Sequence, residues 1–296
     1  MSELGRVGFV GLGRMGTPLS LRLASAGYEL VGYDLSSAAR ERAAGLGLVT
    51  ADNLLAVADR AACLVIMLPT SKEVTAVLSD QEMLSGLAPE ALVIDMSSSQ
   101  PLCTRALAEA LAERGVRMVD APVSGGVRGA ETGKLTIMAG GSQEDVARAG
   151  PLLGTLGQVV HAGKVGCGHA AKALNNLLSA THLWATGEAM LAGERFGIEP
   201  EVLLSIFNSS SGRSGSTDNK WPNFILPGTF NSGFGLRLMV KDMGIAVELA
   251  DQVGAPRALG ASALSLWQRA ADDLSPDADH TEVARWLETG ATAYGD

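Results

Sequence analysis

The sequence has few cysteines, only 3 in 296 residues. Cys63, Cys103 and Cys167 show no C-x-x-C spacing and no accompanying histidine pattern, so neither a disulfide framework nor a zinc site is indicated, and no metal is expected. Cys63 lies in an apolar run and is expected to be a small core residue. A protein of a reducing compartment is expected, and we assign it to the cytoplasm.

Basic runs, long apolar runs and a signal sequence are also missing. The net charge is -9 and no segment is rich in lysine and arginine, so neither nucleic acid nor an anionic membrane is an expected partner. The longest apolar run near "CLVIMLP" is far shorter than the roughly 20 residues that span a bilayer. The N-terminus has no basic segment followed by a long apolar one. We therefore expect a soluble protein.

What the chain does contain, in its first half, is an alternation of short apolar runs with helical patterns. Near-continuous apolar strands with helices between them are typical of a parallel sheet covered on both faces. A doubly wound α/β domain is therefore predicted for residues 1–163. The predicted strands are "RVGFVG" (6–11), "ELVGYD" (29–34), "CLVIMLP" (63–69), "LVIDMS" (92–97), "RMVDAPV" (117–123), "KLTIMAGG" (134–141) and "QVVHAG" (158–163).

The second half has no comparable strand pattern. Residues 168–196 form one long predicted helix rich in alanine and leucine, which ends at a glycine with a proline beyond it. An all-α domain over residues 164–296, joined to the first by this long interdomain helix, is therefore predicted. Further helices are expected at 200–208, 237–253, 257–273 and 280–289, and residues 208–235 are expected to form a long loop.

A glycine pattern follows the first predicted strand. Gly11, Gly13 and Gly16 have the G-x-G-x-x-G spacing of a dinucleotide site: the first permits a tight turn, the second lets a pyrophosphate approach the backbone, and the third lets the helix pack on its strand. The helix N-terminus then directs free N–H groups at the phosphates. Asp34 ends the second strand, where a carboxylate accepts hydrogen bonds from an adenosine ribose and repels a 2′-phosphate. NAD is therefore favoured over NADP.

Two further segments combine polar and small residues. In "DAPVSGGVRGAETG" (120–133), the consecutive N–H groups of Ser124, Gly125 and Gly126 could form an anion-binding nest, and a flexible turn is an equally good interpretation. In "GCGHAAKALNNLL" (166–178) and the residue that follows it, one helical face carries Lys172, Asn175, Asn176 and Ser179, at i, i+3, i+4 and i+7. We call this face the polar stripe.

Four motifs in register make the chain resemble the β-hydroxyacid dehydrogenase family, and its 3-hydroxyisobutyrate branch in particular. They are "GFVGLGRMG", "DAPVSGGVRGAETGKLTIMAGG", "GCGHAAKALNN" and "GFGLRLMVKDMGIA", and "SSSGRSGSTD" looks like the serine-rich loop of that branch. The resemblance implies a Rossmann domain, an active site in an interdomain cleft, and a homodimer or homotetramer. From "SGSTDNKWP" (214–222) onward the sequence departs from that branch, which leaves the particular substrate open.

The resemblance also implies roles for individual residues. Lys172 would be the catalytic lysine and Asn176 a substrate contact, with a carboxylate cradle at Ser124, Gly125 and Gly126. An amine of ordinary pKa, about 10.4, is a poor base, and both burial and a nearby positive charge lower it. The other implied substrate-binding residues are Asn175, Lys241, Asp242 and Arg213, the last in a loop that varies within the family. The implied cofactor-binding residues are Gly11, Leu12, Gly13, Arg14, Met15, Gly16, Asp34, Leu68, Pro69, Ser97 and Lys241.

The expected activity is NAD-dependent interconversion of a small β-hydroxy acid and its semialdehyde or keto acid, with 3-hydroxyisobutyrate as the leading substrate. Tartronate semialdehyde and threonate are alternative substrates. An imine reductase is disfavoured by Lys172 and by the Ser124–Gly126 segment, and a 6-phosphogluconate dehydrogenase by the short helical domain. A non-enzymatic NAD-binding module is the alternative of another class, disfavoured because the lysine is present.

Overall fold

The computed structural model describes residues 5–290. The chain folds into two compact units, one extending to Lys172 and the other beginning at Ala173. The domain boundary expected after residue 163 lies before the long helix, whereas the division between the two units falls within it. That boundary therefore stays a prediction. The first unit is mixed α/β and the second is helical, which confirms the predicted fold class.

The first unit is built on one sheet with the order β3-β2-β1-β4-β5-β6-β8-β7, and β9 pairs with the other edge of β8. Strands β1 to β6 are parallel, β8 is antiparallel to β6 and β7, and β9 is parallel to β8. The strands are β1 (Val7–Val10), β2 (Leu30–Tyr33), β3 (Val49–Thr50), β4 (Cys63–Ile66), β5 (Leu92–Asp95), β6 (Arg117–Asp120), β7 (Val123–Ser124), β8 (Leu135–Gly140) and β9 (Gly157–Gly163).

Both faces of this sheet are buried, as its apolar strands predict. In β4, Cys63 and Val65 belong to one hydrophobic core cluster, and Leu64 and Ile66 belong to another. Because successive side chains of a strand point to opposite faces, the two clusters lie on opposite sides of the sheet. The helices of this unit are α1 (Gly16–Ser25), α2 (Ser37–Gly45), α3 (Leu54–Ala58), α4 (Ser71–Leu78), α5 (Gln81–Gly86), α6 (Pro101–Ala112), α7 (Gly126–Thr132) and α8 (Gln143–Leu156).

The long predicted helix is present as α9 (Cys167–Phe196), whose first residues belong to the first unit and the rest to the second. The second unit packs around three tryptophans: Trp184 lies 6.2 Å from Trp267 and 5.8 Å from Trp286, between ring centroids. Its other α-helices are α10 (Pro200–Ser209), α11 (Leu236–Gln252), α12 (Ala258–Asp273) and α13 (Val283–Gly290). Among the described residues, no helix is long and apolar enough to cross a membrane.

Three parts of the sequence interpretation were wrong in detail. The expected loop over 208–235 contains a wide π-helix over Ser216–Ile225, because Trp221 is buried in the core of the second unit and fixes the segment. The single strand expected over 117–123 is two strands, β6 and β7, since the chain leaves the first after Asp120. The last helix also begins differently, with a 3₁₀ turn at His280–Glu282 that is capped by Asp279.

Candidate active site

The three fingerprint glycines each meet a different steric requirement. A Cβ atom on Gly11, whose φ is +101°, would lie 2.2 Å from the Met67 carbonyl oxygen, and one on Gly16 would lie 1.7 Å from that of Gly11. A Cβ on Gly13 would meet nothing within 4 Å. Gly11 and Gly16 therefore serve the turn and the packing of α1, while the backbone of Gly13 stays open to a ligand. This arrangement fits the pyrophosphate of a dinucleotide.

The carboxylate of Asp34 is fixed beside this turn. Its Oδ2 accepts a hydrogen bond from the backbone N–H of Leu12 at 2.8 Å, and its Oδ1 accepts one from that of Ser36 at 2.9 Å. Arg40 Nη1 donates to the Asp34 carbonyl oxygen at 2.7 Å. The fold thus brings Leu12 and Asp34 together as expected. Of the other implied cofactor residues on this loop, Arg14 is exposed and Met15 half-buried.

The loops that follow β4 and β5 carry Leu68, Pro69 and Ser97. They lie at the carboxyl ends of their strands, as does the glycine turn that follows β1. The Leu68 N–H donates to Ser97 Oγ at 2.9 Å, so the loops after β4 and β5 are joined side by side. Ser97 is buried and its own N–H donates to Asp95 Oδ1 at 2.9 Å. The structure thus brings Leu68 and Ser97 into contact, with Pro69 adjacent in the chain.

Asp95, which binds the Ser97 N–H, also belongs to a buried polar cluster that the sequence interpretation missed. His169 Nδ1 is 2.8 Å from Thr104 Oγ1, and His169 Nε2 is 3.7 Å from Asp95 Oδ2. Asp120 is paired with Asp95 in the register of β5 and β6, and its Oδ2 lies 3.8 Å from His169 Nδ1. A signal was available, since two neighbouring parallel strands both end in aspartate.

Asp120 holds the first turn of α9. Its Oδ1 accepts from the Gly166 N–H at 2.7 Å and its Oδ2 from the His169 N–H at 2.8 Å. Burial raises the pKa of Asp120, while the His169 charge and the two backbone hydrogen bonds act in the opposite direction. A Cβ on Gly168 would lie 2.2 Å from the Met138 carbonyl oxygen, so the helix starts against the sheet without room for a side chain.

The Ser124–Gly126 segment has a definite conformation. Ser124 pairs with Thr136 in the sheet, and Gly125 and Gly126 have φ values of +126° and +61°. A Cβ on Gly126 would meet nothing within 4 Å, so the left-handed backbone and not crowding requires glycine there. Successive residues of this kind before a short helix can turn N–H groups toward one anion. The segment's role in binding a carboxylate stays a prediction.

The polar stripe of α9 is mostly buried. Lys172 and Asn176 are 7% and 5% exposed, whereas Asn175 is exposed. Asn176 Nδ2 donates to Asp242 Oδ2 at 2.6 Å, and Lys241 Nζ lies 3.2 Å from Asp242 Oδ1. Helix α11 thereby contributes its expected pair to the face on which Asn176 lies. Their roles in catalysis stay predictions.

Two residues of the 213–220 segment are placed differently from each other. Arg213 is exposed and pairs with Asp218 at 3.0 Å, so within the second unit it belongs to the surface of the serine-rich segment. Lys220 was not singled out from the sequence, yet its Nζ donates to Ser179 Oγ at 2.7 Å. Ser179 is the last member of the polar stripe. No sequence pattern marks Lys220, because it lies in the segment over 208–235 that the sequence predicts to be a loop.

Comparison with known proteins agrees with this geometry. Residues 6–166 match the family model described as the NAD binding domain of 6-phosphogluconate dehydrogenase, and residues 166–287 match that described as NAD-binding of NADP-dependent 3-hydroxyisobutyrate dehydrogenase. A mitochondrial 3-hydroxyisobutyrate dehydrogenase of Bos taurus is 38% identical over 273 residues, which is 88% of this chain and 80% of the relative.

Two further relatives are similar over nearly their whole length. An NAD-dependent L-serine dehydrogenase of Pseudomonas aeruginosa is 37% identical over 271 residues, covering 89% of this chain and 91% of the relative. A solved 3-hydroxyisobutyrate dehydrogenase of Mycobacterium tuberculosis with L-serine is 30% identical, with a TM-score of 0.91 over 96% of this chain and 99% of that one.

The fold and these matches define an NAD(P)-dependent oxidoreductase. The chain belongs to the β-hydroxyacid dehydrogenase family.

Proposed function

We propose that the protein oxidises 3-hydroxyisobutyrate to its semialdehyde, with NAD+ as the oxidant and Lys172 as the general base. The observation that carries the proposal is the polar stripe: a buried amine, 7% exposed, four residues before an asparagine whose amide is held by a buried aspartate. Residues four apart on a helix have Cβ atoms about 6 Å apart, so both side chains reach one small substrate.

The chemistry requires a proton acceptor at the hydroxyl oxygen. Bound NAD+ would supply the hydride acceptor. The Lys172 amine takes the hydroxyl proton in the oxidative direction and returns it to the forming alkoxide in the reductive one. Asn176, held by Asp242, orients the substrate oxygen. The Ser124–Gly126 backbone would bind the substrate carboxylate, because its glycines hold the left-handed conformations of an anion-binding nest.

NAD is the preferred cofactor in this proposal. Asp34 supports it, because its carboxylate is anchored to the Leu12 N–H and so keeps a negative charge beside the glycine turn. Such a charge accepts hydrogen bonds from the ribose hydroxyls and repels a 2′-phosphate. Arg40 is the nearest cation to Asp34 in sequence, and its guanidinium is already engaged by backbone carbonyls and by the Tyr33 ring, 5.6 Å away.

We also propose that the protein is a cytoplasmic homodimer or homotetramer. Exposed apolar pairs support self-association: Leu174 and Leu178 on α9, and Val202 and Ile206 on α10, are spaced four residues apart and are each at least 43% exposed. Aligned exposed apolar residues of this kind are typical of contact surfaces. Light scattering after size exclusion tests the assembly, and a monomer at micromolar concentration would contradict it.

L-Serine is a second candidate substrate. It differs from 3-hydroxyisobutyrate by an ammonium group in place of a methyl group, and it appears in the names of two similar proteins, one a dehydrogenase of L-serine and the other a structure with L-serine. An acidic group near the substrate's second carbon would favour the amino acid. The two substrates are therefore compared directly.

The test is NADH formation by wild type and Lys172→Ala against 3-hydroxyisobutyrate, L-serine, glycerate and threonate. We expect the highest kcat/KM with 3-hydroxyisobutyrate, and a loss of at least about 100-fold in kcat for Lys172→Ala with NAD affinity changed only a few-fold. Lys72→Ala, at an exposed lysine of α4, is the matched control. Cofactor binding without turnover of any hydroxy acid would favour the binding-module alternative.

A further inference from the structure

The polar stripe of α9 ends at an amine that comes from another element. Ser179 lies seven residues after Lys172, about 10 Å further along the helix axis. Its Oγ accepts a hydrogen bond from Lys220 Nζ at 2.7 Å. Lys220 is on the π-helix, so the stripe has a lysine at each end and Asn176 between them.

The charge of Lys220 is poorly compensated by the protein. Within residues 5–290, no carboxylate oxygen lies within 4.0 Å of its Nζ. Burial lowers the pKa of Lys220 to about 8, although the Asp279 charge acts in the opposite direction. At neutral pH the amine is mostly protonated. It is a partly buried cation whose hydrogen-bond partner among the described residues is a neutral hydroxyl.

Among the described residues of the second unit, two other buried polar atoms, on the π-helix and on the 3₁₀ turn, lack a hydrogen-bond partner. Ser216, four residues before Lys220 on the π-helix, is 1% exposed and its Oγ is unsatisfied. His280 is 4% exposed and its Nε2 is unsatisfied. Burial lowers the pKa of His280, and the Lys220 charge adds to this effect, so the two groups are close enough to interact. Unsatisfied buried polar atoms in the same region as a partly buried cation are expected where a water or a polar ligand binds.

We propose that Lys220, together with Ser179, binds a second carboxylate on the substrate. We call these two residues the Lys220 subsite. The inference rests on the proposed function, since it extends the same hydroxy-acid site along the polar stripe. It predicts that, besides 3-hydroxyisobutyrate, the protein accepts hydroxy acids with an anionic group at the end distant from the reacting hydroxyl and prefers them to neutral analogues of the same size. A charge-assisted hydrogen bond from a partly buried lysine is stronger than one between neutral groups.

The substrate panel for this test keeps the reacting end constant. It compares 3-hydroxyisobutyrate with acids in which its methyl group is replaced by carboxymethyl, carboxyethyl or carbamoylethyl. The two carboxyl chain lengths sample the separation along α9, and carbamoylethyl has the size of carboxyethyl without its charge. We expect wild type to have at least a tenfold higher kcat/KM with one of the carboxyl forms than with the carbamoyl form.

Replacing the lysine should remove that preference alone. Lys220→Met should lower kcat/KM for the favoured carboxyl form at least tenfold and leave the values for 3-hydroxyisobutyrate and the carbamoyl form within about twofold. Lys220→Arg should retain part of the preference, because it keeps the charge. Lys72→Met is the control at an exposed lysine. An equal loss on charged and neutral substrates would mean that Lys220 only supports the fold, and the inference would be overturned.

The preference should also depend on pH. The ratio of kcat/KM for the carboxyl form to that for the carbamoyl form should fall as pH rises through about 8, because Lys220 loses its proton there. Titration of Lys172 affects both substrates and cancels in the ratio. The charge that acts on Lys220 is that of the Asp279 carboxylate, while the His280 imidazole, which also interacts with Lys220, is neutral in this range. Lys220→Met should give a ratio independent of pH, and a pH-dependent ratio in that variant would contradict the assignment.

Calorimetry separates this inference from the proposed function. Wild type and Lys220→Met, saturated with NAD, are titrated with the carboxyethyl and carbamoylethyl acids. Tighter binding of the carboxyl form by wild type alone supports the subsite even if no acid is oxidised, in which case the proposed reaction fails by itself. Turnover of 3-hydroxyisobutyrate with equal binding of both longer acids would contradict the Lys220 subsite and support the proposed reaction.

Discussion

Asn176 Nδ2 donates a hydrogen bond to Asp242 Oδ2 at 2.6 Å, and both side chains are buried. The pair joins α9 to α11 within the second unit. A second hydrogen bond also fixes the direction of the amide, because Asn176 Oδ1 accepts from Asn175 Nδ2 at 3.2 Å. In the proposed mechanism Asp242 acts through Asn176, and a variant that keeps the size of Asp242 without its charge tests this role separately from removal of the side chain.

We expect Asp242→Asn to lower kcat about 10- to 100-fold with the cofactor KM changed less than about threefold. The substituted amide presents an N–H₂ group or a weaker acceptor to Asn176, so the amide direction is no longer enforced and the substrate is misplaced. Steady-state kinetics in both cofactor and substrate measure this. Asp251→Asn, at the exposed ion pair with Arg257, is the control. An unchanged kcat would show that the pair has no part in positioning the substrate.

Gly13→Ala and Gly16→Ala should separate binding from folding. The Gly13 variant adds a methyl group into open space, so its melting temperature should stay near wild type while NAD affinity falls at least tenfold. The Gly16 variant places a methyl group 1.7 Å from a carbonyl oxygen and should lose about 3 kcal/mol of unfolding free energy. Chemical denaturation and NAD titration provide the two readouts. Equal stability losses in both variants would contradict the division of roles.

Cofactor preference should change when the charge of Asp34 is removed. Asp34→Asn combined with Leu35→Arg should shift the kcat/KM ratio of NADP to NAD upward by at least tenfold. The carboxylate no longer repels a 2′-phosphate, and the exposed position 35 supplies a cation. Because Asp34 also binds the Leu12 N–H, Asp34→Asn alone is measured for its effect on the turn. An unchanged ratio in the double variant would remove Asp34 from cofactor selection.

The start of α9 should depend on Asp120 as a hydrogen-bond acceptor more than as a charge. Asp120→Ala leaves the buried N–H groups of Gly166 and His169 unsatisfied, which should cost about 2 kcal/mol or more. Asp120→Asn retains one acceptor oxygen, and burial already opposes the charge of Asp120, so the loss should be about half as large. Urea unfolding measures both. A larger loss for asparagine than for alanine would contradict this account.

His280 should make the protein less stable in acid. Its folded pKa is lowered by burial, so between that pKa and the unfolded value near 6.5 the unfolded chain binds a proton that the folded chain does not. The free energy of unfolding therefore falls as pH drops below about 6.5. We expect His280→Gln to reduce this pH-dependent loss by about 1 kcal/mol or more relative to wild type. His182→Gln, at an exposed histidine, should reproduce the wild-type profile.

The strands and long helices could be predicted because their signals are local. A run such as "CLVIMLP" has one residue pattern whether or not its neighbours are known, and in the structure Cys63–Ile66 is a fully buried strand. Gly11 and Gly16 were likewise predictable, because the tight turn after β1 and the close packing of α1 require glycines at a fixed spacing within a few residues. The π-helix was not, because its formation depends on burying Trp221 among residues distant in the chain.

The site was predictable where one segment contains it and not where several meet. Lys172 and Asn176 share a helical face, which spacing alone reveals. The cluster of Asp95, Asp120 and His169 depends on the register of β5 with β6, and a shift of one residue would place the two aspartates on opposite faces of the sheet. Lys220 reaches Ser179 across 41 residues of sequence.

The π-helix makes the position of Lys220 sensitive to chain length. Turns of this kind are closed by hydrogen bonds such as that from the Leu226 N–H to the Trp221 carbonyl, five residues apart. An α-helix closes each turn with one residue fewer, and each residue turns it by about 100°. Deleting a single residue between Ser216 and Lys220 would thus convert the segment toward ordinary helix and rotate the amine away from Ser179. If Lys220 binds substrate as proposed, such a deletion would abolish the preference for a second carboxylate as Lys220→Met does, although the lysine itself is kept.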